Sequence, residues 1–115
     1  MNAPAVQFVD VEGNSLLNYL CRGAESLSFT DADATPSVAY GKYFMCVNSA
    51  PTSITFFDDG RIGQEIIVKI DMNTTIVHNN SYIRLRGDAN MTGDSNDMIC
   101  LRLIGTIWFE QWRNS

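Results

Sequence analysis

The stretch Met98-Ile99-Cys100-Leu101-Arg102-Leu103-Ile104-Gly105-Thr106-Ile107-Trp108-Phe109-Glu110-Gln111-Trp112-Arg113 decides the fold class. Ile99, Leu101 and Leu103 recur at every second position, the period of a strand with one buried face. Gly105-Thr106 then breaks the pattern. Two residues with glycine first meet the requirement of a type II′ hairpin turn. Residues 107–113 form the returning strand. Trp108, Glu110 and Trp112 share one parity there, so with Trp108 in the core Trp112 reaches the edge beside Arg113.

The same signal runs outward from this hairpin. Gln64, Ile66, Val68 and Ile70 alternate with Glu65, Ile67, Lys69 and Asp71. Ile83 and Leu85 point inward, with Tyr82, Arg84 and Arg86 outward. Strands are also expected at 7–11, 43–47, 53–57 and 74–78, while 16–21 is too short for periodicity to decide between helix and strand. Asp58-Asp59-Gly60 and Asn79-Asn80 close strands. Residues 31–37 and 91–96 read as loops. There is no internal repeat. Short strands at this density predict an all-β fold, an antiparallel β-sandwich of jelly-roll type.

Composition bounds the function. The chain has 115 residues, with 8 Lys plus Arg against 13 Asp plus Glu and a net charge of −5. That length is one domain's worth. An acidic balance without a basic block argues against a nucleic-acid surface. No apolar run approaches the ~18–20 residues of a membrane span, so no membrane insertion is expected. Met1-Asn2-Ala3-Pro4-Ala5-Val6 has neither a charged nor an apolar leader segment. Cys21, Cys46 and Cys100 are odd in number and lack CxxC spacing, which reads as free thiols made in a reducing cytosol.

A longer pattern runs from Thr35 to Arg113. It comprises Thr35-Pro36-Ser37-Val38, Tyr43-Phe44, Asn48, Thr52-Ser53-Ile54-Thr55-Phe56-Phe57-Asp58-Asp59-Gly60 and Gly63-Gln64-Glu65-Ile66. Thr74-Thr75-Ile76, Ile83-x-Leu85-x-Gly87-x-x-Asn90, Leu101-x-Leu103, Trp108-Phe109-Glu110 and Arg113 complete it. This series resembles the C-terminal β-sandwich of phage tailspikes and tail fibres, the module that follows a trimeric right-handed β-helix. The resemblance covers about two-thirds of the chain. It implies a homotrimer in the virion tail, made in the host cytoplasm and joined to a parent β-helix stalk. It implies work in trimerisation, folding or contact with host cell-surface polysaccharide. Residues 1–34 lack the pattern and read as a connecting segment, either the end of a preceding stalk, an engineered start or the product of internal initiation at Met1; 35–115 is the sandwich module. Trp112 stands where the pattern has a small residue.

Trimerisation needs mated faces, and the outward residues Ile67, Lys69, Tyr82, Arg84 and Arg86 mix apolar and charged members suited to one. Sugar binding needs aromatic platforms beside hydrogen-bonding groups, and Trp112, Arg113, Tyr82 and Asn80 are the candidates. Catalysis is not expected: Asp58-Asp59 is the one obvious carboxylate pair, and turn capping explains it. No cofactor is expected. No metal is expected either, because His78 is the sole histidine and the oxygen-rich run Asp88, Asn90, Asp94, Asn96 and Asp97 lacks EF-hand spacing. Two other roles compete with the clamp: a stand-alone lectin-like module, and a processed or independently initiated C-terminal chaperone module.

Overall fold

A computed structural model describes residues 26–114. The expected strand at 7–11 and the undecided run at 16–21 lie outside the described residues. Nine strands follow in order: β1 (Ser26–Ser28), β2 (Tyr43–Met45), β3 (Thr52–Ile54), β4 (Glu65–Lys69), β5 (Thr74–Ile76), β6 (Ile83–Arg84), β7 (Met91–Thr92), β8 (Met98–Ile104) and β9 (Ile107–Asn114). They form a six-stranded sheet ordered β1-β2-β4-β8-β9-β6 and a three-stranded sheet ordered β3-β5-β7. The all-β sandwich class is therefore as expected.

The pairing within it is mixed rather than antiparallel. β1–β2, β2–β4, β3–β5 and β6–β9 run parallel; β4–β8, β5–β7 and β8–β9 run antiparallel. Parallel neighbours need a crossover between them. Here the crossover is a visit to the other sheet: β2 is followed by β3 opposite, then by β4 beside β2, then by β5 beside β3. The chain winds as a parallel coil of three rungs. Seventeen residues separate the paired Ser26 and Tyr43, and 24 separate Tyr43 and Ile67. The unequal spans leave no fixed period, which is why the coil writes no repeat into the sequence.

Polar side chains hold successive turns together. Ala32 donates its backbone N–H to Asn48 Oδ1 at 2.8 Å, and Asn48 donates its own N–H to Asp71 Oδ2 at 2.7 Å. Ser49 N–H reaches Asp31 Oδ1 at 2.9 Å, and Asn73 Nδ2 donates to the Asn48 carbonyl at 2.8 Å. Thr74, fully buried, satisfies its hydroxyl by donating to Asp71 Oδ1 and accepting from Asn48 Nδ2. Outside the named strands a parallel bridge joins Ser37 to Asp58.

One core crosses all three rungs. Phe29 stacks on Phe44 at 4.9 Å, lies 5.9 Å from Phe57, and Phe57 meets Trp108 edge-on at 5.9 Å. Phe29 and β1 fall before residue 35, yet they pack with the same core as the module that follows. Ile66, Val68, Ile99, Leu101 and Ile83 are buried at the expected parity. Met91, read as the start of a polar loop, is instead buried and pairs with Ile76 in β7. A single apolar residue between polar neighbours gives no period to find.

The hairpin forms as predicted. Ile104 pairs Ile107, Gly105 has φ 66°, and Thr106 stays out of the positive region, the φ signs of a type II′ turn.

Candidate interaction face

The last strand does not keep one parity. Leu101 pairs Glu110 while Cys100 pairs Trp112, so Gln111 is an extra residue in β9, a β-bulge. A bulge shifts the side-chain alternation by one. Trp108 and Glu110 therefore face the interior, and Trp112 turns to the opposite, outer face beside Cys100. This corrects the expectation that the three share a side. Arg113 returns to the inner side opposite Ile99.

Arg113 is fully engaged there. Its Nε donates to Glu110 Oε2 and its NH2 to Glu110 Oε1, both at 2.8 Å. Glu110 Oε1 also accepts the Arg86 backbone N–H at 2.8 Å. Only 5% of the Glu110 side chain and 14% of the Arg113 side chain are exposed. The Arg113 guanidinium holds the Glu110 carboxyl below its usual range against the opposing effect of burial. The same pairing raises Arg113.

The four expected sugar-binding residues do not converge. Trp112 lies on the outer face and Arg113 on the inner. Tyr82 sits where β6 begins, its carbonyl accepting Trp108 N–H at 2.9 Å and its ring edge-on to Phe56 at 5.8 Å. Trp112 is four residues further along β9, about 13 Å by strand rise. Asn80 belongs to the turn before Tyr82, with its Oδ1 3.1 Å from His78 Nε2. His78 Nδ1 accepts the Leu85 N–H at 2.9 Å, so the histidine fixes this turn against the 3-10 turn Arg86–Asp88.

The expected interface residues fare differently. The ladder registers place Ile67, Lys69 and Arg84 on one surface, the outer face of the six-stranded sheet. One row across it reads Tyr43, Ile67, Cys100, Trp112. A second reads Met45, Lys69, Met98. A third reads Glu65, Arg102, Phe109, Arg84. Tyr82 is drawn off towards Phe56, and Arg86 lies beyond β6 in the 3-10 turn.

Arg102 pairs with Glu65 at 3.2 Å and Lys42 reaches the same carboxylate at 3.7 Å, also standing 5.7 Å from the centre of the Tyr43 ring. A shallow groove of about 120 Å³ opens between Tyr43, Met45, Ile67, Lys69 and Met98. Cys100 is fully buried although it belongs to this outer parity, flanked by Ile67 and Trp112. Its thiol is pushed up to about 11, first by burial and then by the nearby Glu65 carboxylate. Cys46, on the inner side, is raised to about 11 by burial as well.

Sequence reasoning placed Met98, Cys100 and Arg102 on one parity of β8, which the register confirms, and missed Tyr43, Met45 and Phe109 as members of this face. The alternation of β4 pointed to it through Ile67. The partners follow only once the strand order and the bulge are known.

Asp58 and Asp59 lie in the turn that bridges back to Ser37, with Asp59 at φ 66°. Among the described residues no group of three or more His, Cys, Asp or Glu gathers where it could hold a metal ion. No helix among them is long and apolar enough to cross a membrane.

Comparison with family models, with curated proteins and with solved structures gives no match. The residues behind the tailspike resemblance can still be located. Asn48 and Thr74 tie the turns, and Gln64 Nε2 donates to the carbonyls of Val38 and Gly41, both at 2.9 Å. Asn90 Oδ1 accepts His78 N–H at 2.8 Å, Trp108 Nε1 donates to the Phe57 carbonyl at 3.2 Å, and Glu110 pairs Arg113. In the structure these residues tether the fold.

Proposed function

We propose that this chain is a structural, non-catalytic module that closes the end of a phage tailspike or tail fibre and holds its chains together as a homotrimer. The observation that carries the reading is the change of pairing along the chain. Three parallel rungs come first, with β1 one of the two edge strands of the larger sheet among the described residues. Antiparallel strands then follow: β7 ends the smaller sheet, and the β8–β9 hairpin lies between β4 and the short far-edge strand β6, which runs parallel to β9. A parallel coil propagates rung on rung and needs a cap where it stops. An antiparallel hairpin supplies one, because its second strand returns instead of starting a new rung. The order of coil and cap supports a stalk on the β1 side as the parent partner.

Contact with host polysaccharide belongs to the same proposal, at the tip of the spike. A lectin-like role through Trp112, Arg113, Tyr82 and Asn80 is not favoured, since these residues do not meet on one ligand.

The test is molar mass in solution by light scattering across a wide dilution range. A species of three chains that persists on dilution is the expected result. A monomer at all concentrations would remove the clamp.

A further inference from the structure

Charge is segregated between the outer face of the six-stranded sheet and the rest of the molecule. Among the described residues the face carries Lys42, Lys69, Arg84 and Arg102 against one acid, Glu65. The other described residues hold nine acids and three cations. An acidic protein thus presents one basic face.

That face also has the make-up of a protein-contact surface. Its centre is the apolar row Tyr43, Ile67 and Trp112, with Met45 and Met98 alongside, and its charges lie around them. Aromatic residues, Met and Arg at the centre with a polar rim mark such surfaces. Trp112 is 42% exposed, a large indole held out by the bulge. Tryptophans in this position carry a disproportionate share of binding energy.

We propose that this face docks onto an acidic surface of a second copy of the chain, so that copies join head to tail in a closed ring. The proposal deepens the self-assembly reading above and rests on it. Charge complementarity selects the occupant. Two copies of the face set against each other would bring Lys69 and Arg84 against like charges, which disfavours a two-fold pair. The acidic remainder of the same chain is complementary to it. A face that meets a different face on its neighbour gives a ring when the rotation closes. Attraction of this kind weakens with salt, whereas purely apolar association does not.

The experiment measures molar mass of the full chain by light scattering, from about 0.05 to about 0.5 M salt. Wild type is compared with Arg84→Glu, Trp112→Ala and Arg61→Glu. Arg61 is an exposed cation in the 61–63 loop, outside the rows of the face, so its reversal changes net charge equally. The expected result is a trimer that loosens as salt rises. Arg84→Glu and Trp112→Ala then raise the dissociation constant about tenfold or more, and Arg61→Glu leaves it near wild type. Circular dichroism confirms that each variant is folded, and Arg84→Glu carries the test should Trp112→Ala unfold.

A trimer indifferent to salt, or Arg84→Glu behaving like Arg61→Glu, overturns the proposed face and leaves the clamp standing. A dimer overturns the head-to-tail ring. A wild-type monomer overturns both this proposal and the reading beneath it.

Discussion

Glu110 shows how one carboxylate ties three elements. It takes two hydrogen bonds from Arg113 and one from the Arg86 backbone, in a site that admits little water. Its folded pKa lies below the ordinary 4.5, so the stabilisation is fully present above that value and is lost as pH falls through the lower, folded one. Denaturant titrations at a series of acidic pH values should show wild type losing stability below about 4.5, with Glu110→Gln giving a flatter profile. Truncation to alanine leaves Arg113 without its partner and should cost about 3 kcal/mol. The two buried thiols give a second reading at this scale. In a Cys21→Ser background, Cys46 and Cys100 should both resist a thiol reagent in the native state, because burial disfavours the thiolate. Trp112→Ala should speed modification of Cys100 and leave Cys46 slow. Equal acceleration of both would indicate general loosening rather than loss of a cover.

At the scale of the element, the bulge in β9 matters most. One extra residue, Gln111, lets a single strand place Trp108 in the core and Trp112 on the outer face. Deleting Gln111 restores simple alternation. Trp112 would then follow Glu110 directly, still opposite Cys100 on the outer face, with Arg113 still opposite Ile99 on the inner side. Both faces would keep their residues, so the expected cost is that of an ordinary single change, about 0.5–3 kcal/mol, read as a lower denaturation midpoint. The turn at Gly105 is a second case. Its φ of 66° suits glycine, and an added Cβ would meet nothing within 4 Å. Gly105→Ala should therefore cost only the backbone term, about 1–2 kcal/mol, in the same measurement.

Across the whole molecule, the aromatic chain Phe29, Phe44, Phe57 and Trp108 joins the first rung to the cap. A coil of independent rungs would fray from one end. A shared core opposes that, and unfolding should be one cooperative transition. Phe29→Ala should destabilise the whole by about 3–5 kcal/mol. Tryptophan fluorescence and the far-ultraviolet circular dichroism signal should still move together. Loss of the β1 region alone, with Trp108 undisturbed, would show that the rungs unfold separately.

The sequence by itself determined the strands other than β1 and β7, most of their inward faces and the hairpin at Gly105-Thr106, because period-two alternation and turn chemistry are local properties. It gave no sign of the parallel coil. Tyr43 and Ile67 become neighbours through a visit to the opposite sheet, and nothing in either strand records the direction of its partner. The candidate face was legible in half. Ile67 and Lys69 follow from the alternation of β4, and Arg84 from that of β6. Their gathering with Tyr43, Met98 and Phe109 depended on strand order, and the arrival of Trp112 depended on one bulge. Which residues are buried was written in local pattern. Which exposed residues stand together was decided by long-range pairing, where a shift of one residue exchanges the two faces of a strand.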